Sequence, residues 1–172
     1  MKATKTWQVA LGGVLAAGSL AVLWLACVVP SGQLGVTAVA GLFPVGAVLA
    51  AGRGAGLLCW AAASILGLLL LPDKGVALMY LVFLGLYPVV KSRLEQLKSR
   101  PMEWAGKLIY FNAALTLLWF AFRELFLPAL PEWMSAQVWV LYLAGNVIFI
   151  LYDIALSRLI GGLNARLRPK GM

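Results

Sequence analysis

The chain alternates between long apolar stretches and short breaks rich in glycine, proline or charge. Six stretches approach the roughly 20 residues, within a range of about 17–25, that a helix needs to cross a bilayer. They cover about 7–29, 34–51, 55–71, 76–90, 105–127 and 136–160. The breaks carry turn chemistry: Pro30 to Gln33, then Gly52, Arg53 and Gly54, then Pro72 to Gly75, and a proline-bounded loop from Leu127 to Glu132. Gly161 and Gly162 close the last stretch ahead of a basic tail. The second stretch holds Pro44 and the glycines at 35, 41 and 46, so a re-entrant pair over 34–71 is the alternative to two full crossings. The expected fold is all-α, a single integral membrane domain built as a six-helix bundle.

Charge orients that bundle. From Tyr80 to Trp104 an apolar segment gives way, at Tyr87 and Pro88, to a strongly basic one. Lys91, Arg93, Lys98, Arg100 and Lys107 follow, opposed only by Glu95 and Glu103. An apolar run ending in an aromatic and then lysines and arginines reads as a helix emerging on the cytoplasmic side. With the N-terminus inside, the inner pieces are 1–6, 52–54, 91–107 and 157–172, and they hold 12 of the 14 lysines and arginines. The outer side keeps Lys74 and Arg123. This asymmetry predicts six spans with both ends inside. Within the cytoplasmic basic loop 91–104, a short surface helix from Arg93 to Arg100 is expected, with Glu95 paired to Lys98 and Pro101 as its stop. A solvated loop beside anionic lipid is the alternative.

Composition agrees with a lipid solvent. The chain is 63% apolar, with a mean hydropathy of +0.93, against about 45–50% apolar for soluble domains. The net charge of +8 does not point to nucleic acid, because the cations sit at helix ends rather than on one face. Cys27 and Cys59 lie in apolar stretches and the chain has no histidine, so no metal site and no disulfide are expected. Lys2 and Lys5 ahead of an apolar run resemble a signal peptide, but that run is 23 residues long, beyond the usual ~7–15. Trp24 also stands where a lipoprotein site before Cys27 would want an aliphatic residue. A retained first helix is the reading.

Enzyme chemistry finds no foothold. There is no G-x-S-x-G, no phosphate-binding loop and no pair of carboxylates at helical spacing within a span. Gly52 to Gly56 reads as a helix connection. No cofactor is expected, and without an ATP site the chain cannot power transport alone.

Two patterns are candidates for function. Gly13, Ala17 and Ala21 recur every four residues and share one face of the first helix, with Gly12 and Ala16 as a second register. Small residues at that spacing let another helix approach closely, either within the chain or on a second membrane protein. In the fifth helix Asn112, Thr116, Trp119 and Arg123 form one stripe; in the sixth, Tyr142, Asn146, Phe149 and Asp153 repeat its spacing. At about 1.5 Å per residue the two stripes match in depth. They form either interhelical glue or, with Trp139 as a further wall, a small-molecule site open to the outside.

Six short helices in 172 residues, both ends inside, and a small-residue face on helix 1 resemble the substrate-binding S components of energy-coupling factor transporters. The stretch GLYPVVKSRLEQLKSRPMEW, Gly85 to Trp104, is similar to bacterial membrane proteins of that general kind. The resemblance implies a multi-pass protein of the cell membrane that captures a vitamin or similar small nutrient. It assigns Gly13, Ala17 and Ala21 to docking on a coupling transmembrane subunit, itself driven by ATPase subunits. It places the ligand near the outer face, at Trp119, Arg123, Tyr142 and Asn146. The chain is also similar in size and helix count to the MreD rod-shape proteins, which implies instead a non-transporting membrane scaffold of the cell envelope.

Overall fold

The computed structural model describes residues 5–29, 32–97, 99–126 and 138–167, with side chains described to Phe122 in the seventh helix and to Gly162 in the last. Every regular element among them is helical. They are α1 (Lys5–Val28), α2 (Gln33–Ala40), α3 (Leu42–Ala51), α4 (Arg53–Leu70), α5 (Lys74–Met79), a π-helix (Tyr80–Leu84), α6 (Tyr87–Leu94), α7 (Arg100–Phe126) and α8 (Val138–Leu167). Joined across their breaks, they make six helices long and apolar enough to cross a membrane: Lys5–Val28, Gln33–Ala51, Arg53–Leu70, Lys74–Leu94, Arg100–Phe122 and Val138–Gly162. The chain divides into two compact units, Met1–Pro128 and Ala129–Met172.

The core of the first unit is built from small side chains. Ala16, Ala26, Ala40, Ala47, Ala55 and Ala63 are buried, with Leu23, Leu71 and Tyr80 filling between them. Small residues bring helix backbones close, which is how helices gain packing energy where lipid is as apolar as the core. A Cβ on Gly12 would lie 3.2 Å from the Ala55 carbonyl oxygen, so α1 and α4 run almost backbone to backbone there. The outward side chains are large and apolar: Val14, Leu69, Ile109 and Phe120 are all at least 70% exposed. Water would not tolerate such a surface on a soluble monomer; it fits a multi-pass membrane protein.

Polar contacts mark two ends of the first unit. At one end the Gln8 amide donates to the Ala51 carbonyl (2.9 Å) and the Arg53 guanidinium to that of Ser92 (3.0 Å). At the other, the Gln33 amide meets the Asp73 carboxylate (3.2 Å), Asp73 caps α5 through Gly75 N–H, and Lys74 Nζ reaches the Leu68 and Leu71 carbonyls that end α4. A cation at a helix C-terminus satisfies carbonyls left without N–H partners. The segment 33–70 therefore runs from one end to the other and back alongside α1.

The second span is broken where Gly41 and Pro44 stand. A Cβ on Gly41 would lie 2.7 Å from the Leu84 carbonyl oxygen, so only glycine admits the fourth span at this crossing. Pro44 has no N–H to give the Ala40 carbonyl four residues back. The Ser19 hydroxyl donates to it instead (3.1 Å) and accepts from the Tyr80 hydroxyl (3.1 Å). The fourth span is broken too, in the same way. Pro88 releases the Leu84 carbonyl, and the π-helix before it opens two more: Leu81 O accepts from Trp60 Nε1 (2.9 Å) and Val82 O from Tyr110 Oη (2.8 Å).

Three expectations shift. The basic loop expected over 91–104 shrinks, because α6 continues to Leu94 and α7 begins at Arg100. Pro101 opens α7 instead of stopping a surface helix; in the first turn its missing N–H costs nothing. In the second unit, α8 runs through Gly161 and Gly162 to Leu167. Neither glycine takes a positive φ, so neither provides the left-handed turn that ends a helix.

Candidate functional site

Among the described residues, a group of ion pairs joins the C-terminal end of α6 to α7. Lys91 on α6 and Glu95 at its C-cap are four residues apart, as are Glu103 and Lys107 on α7, so each pair shares a helix face. Lys91 Nζ lies 2.6 Å from Glu95 Oε1, and Lys107 Nζ lies 2.6 Å from Glu103 Oε1 and 3.4 Å from Glu95 Oε1. Glu95 thus ties α6 to α7. The ammonium of Lys107 also sits 5.3 Å from the Trp104 ring centroid, within reach of cation–π attraction. Both lysine side chains are buried, at 0% and 2% exposure, whereas Glu95 is 37% exposed. A buried ammonium is tolerated only where carboxylates and hydrogen bonds replace its water. Lys91 and Lys107, counted among the cytoplasmic cations, are thus buried on α6 and α7. The pairing expected for Glu95 with Lys98 falls on a residue outside those described.

Four rings pack beside the ion pairs. Tyr87 stacks on Tyr110 at 5.9 Å between centroids, and Phe83 meets Phe111 edge-on at 5.3 Å. Phe83 also lies 5.8 Å from Tyr87. Together they join the π-helix, α6 and α7 in one aromatic layer. The arrangement can hold helices together and exclude water. Among the described residues no three histidine, cysteine or carboxylate side chains gather as a metal site.

The docking stripe separates into its two registers. Gly12 and Ala16 are buried against the rest of the chain; Gly13, Ala17 and Ala21 are all exposed. A Cβ on Gly13 would meet nothing within 4 Å. Gly12 is therefore internal packing, while Gly13, Ala17 and Ala21 form a flat outward strip.

The expected ligand residues are distributed over both units. Trp119 is buried on α7 at 4% exposure. Arg123 lies on the same helix just after a kink at Phe122, and its side chain is outside the described residues. Tyr142 and Asn146 belong to the second unit, where the Asn146 amide donates to the Tyr142 carbonyl (2.8 Å). On α7 the Asn112 amide donates to Leu108 O and the Thr116 hydroxyl to Asn112 O. Such back-bonding to the helix's own carbonyls is how short polar side chains satisfy donors in apolar surroundings. Trp139, expected as a further wall, lies on α8 and is 67% exposed.

The ion-pair group was missed by sequence reasoning. Its signal lies in the four-residue spacing of Lys91 with Glu95 and of Glu103 with Lys107. No family model, curated protein or solved structure matches this chain.

Proposed function

We propose that this chain is a non-enzymatic substrate-capture subunit of the cell membrane, with six spans and both ends inside, for uptake of a small nutrient such as a vitamin. It docks through α1 on a coupling transmembrane subunit that is driven by ATPase subunits. One observation carries the reading: Gly13, Ala17 and Ala21 are presented outward while the adjacent register, Gly12 and Ala16, packs the chain's own core. A helix that needed small residues only for itself would have no call for them on its outer face, where large apolar side chains meet lipid equally well. Close helix approach between proteins uses such a strip.

The test is a native mass spectrum of the protein taken from its own cells in lipid nanodiscs. The expected species carries a second membrane subunit, an ATPase and a bound mass of a few hundred daltons. A spectrum of the bare chain without subunit or small molecule would overturn the capture role, and envelope proteins in place of the ATPase would support the scaffold.

A further inference from the structure

We propose that the end of the bundle where α4, α6 and α7 meet holds anionic phospholipid by its headgroup phosphate, through Arg53, Arg93 and Arg100. This requires that the chain cross a membrane, not that α1 dock on a partner. Arg53 opens the third span, Arg93 is one residue from the end of the fourth, and Arg100 opens the fifth. All three therefore stand where a crossing helix leaves hydrocarbon and meets headgroups. Two contacts gather them at one end. The Arg53 guanidinium donates to the Ser92 carbonyl (3.0 Å), next along the chain to Arg93. Lys107 Nζ lies 3.4 Å from Glu95 Oε1, which joins the end of α6 to the first turns of α7.

Charge decides the class of ligand. Glu95 stands 2.6 Å from Lys91, and Glu103 stands 2.6 Å from Lys107. Each acid is offset by a buried ammonium, so these four groups sum to zero and the arginines supply the net positive charge. Among the described residues no carboxylate forms an ion pair with any of the three, and Arg93 and Arg100 are exposed. A guanidinium takes phosphate through two parallel N–H donors. Arg53 also stands at the start of α4, whose N-cap Gly52 brings no side-chain oxygen to the first N–H groups, and a helix start favours an anion. Leu97 and Met102, near Arg100 in the chain, are 40% and 62% exposed. Apolar side chains among cations suit a ligand with acyl chains beneath its phosphate, and give a free anion nothing to bury.

Native mass spectrometry of the full chain, released from nanodiscs of equal phosphatidylglycerol and phosphatidylcholine, counts the lipids that stay bound. The natural protein should keep phosphatidylglycerol at least five-fold over phosphatidylcholine. Arg93→Gln with Arg100→Gln should bring the two lipids near parity at unchanged thermal stability, because both side chains are exposed. Lys74→Gln, which removes a cation held by the Leu68 and Leu71 carbonyls at the other end, should keep the preference. Equal retention of both lipids by the natural protein would overturn the proposal and leave the arginines to an acidic protein partner. A preference that survives in the double variant, or that falls as far in Lys74→Gln, would overturn it too. So would loss of the retained lipid to millimolar inorganic phosphate, which would make the ligand a free anion.

Discussion

Ser19 shows how one hydroxyl serves two broken helices. It donates to the Ala40 carbonyl that Pro44 leaves free and accepts from Tyr80, with Ser19 and Tyr80 both fully buried. Ser19→Ala takes the side-chain donor away from the Ala40 carbonyl in an apolar core, at a cost of about 1–3 kcal/mol. Tyr80→Phe leaves the bond to Ala40 in place and should cost less. Unfolding in micelles, followed by near-ultraviolet dichroism, orders the two; equal losses would mean that the Ala40 bond carries no weight. At this scale the sequence was partly legible. Pro44 announced a break, but nothing in the spacing of Ser19, Ala40 and Tyr80 says that they meet. The burial of Lys91 and Lys107 was not legible for a physical reason: charge counts along a chain report which side of a membrane a loop faces, and are blind to the carboxylates that allow a lysine to be buried.

Neighbouring glycines on α1 divide the helix into two faces with different duties. Gly12→Leu drives a side chain into the Ala55 carbonyl and the Leu58 side chain, which lie 3.2 and 3.3 Å from a bare Cβ. It should destabilise the bundle by about 1–3 kcal/mol or prevent folding. Gly13→Leu meets open space and should leave the isolated protein as stable as the natural one. Thermal unfolding of both in nanodiscs separates them, and a Gly13→Leu protein that fails to fold would place this face inside the molecule. Gly41→Val should resemble Gly12→Leu, since its Cβ would press on backbone rather than on a yielding side chain. The helices themselves were legible from apolar run length. The π-helix was not, because Tyr80–Leu84 is apolar throughout and offers no polar stripe whose phase a shift to five-residue bonding would move.

Six apolar helices account for nearly all of the described chain, and that much was readable from run length and composition. The expected orientation rests on the cation asymmetry. Arg53, Lys91, Glu95 and Lys107 gather with Gln8 and Ser92 at one end, while Gln33, Asp73 and Lys74 gather at the other, so the end rich in cations is the one assigned to the cytoplasm. A cysteine at Ser99 should react with a membrane-impermeant maleimide only after cells are opened; labelling of intact cells would reverse the topology.

The central claim is that the chain works through the outward strip of α1. Its most direct test is uptake of the captured nutrient by cells carrying Ala17→Leu, measured beside ligand binding to the same purified variant. We expect uptake to fall at least ten-fold while binding, folding and membrane insertion stay as in the natural protein, because Ala17 is exposed on the outward strip and a bulky side chain there would block a partner. Undiminished uptake by a correctly inserted Ala17→Leu protein would contradict the account.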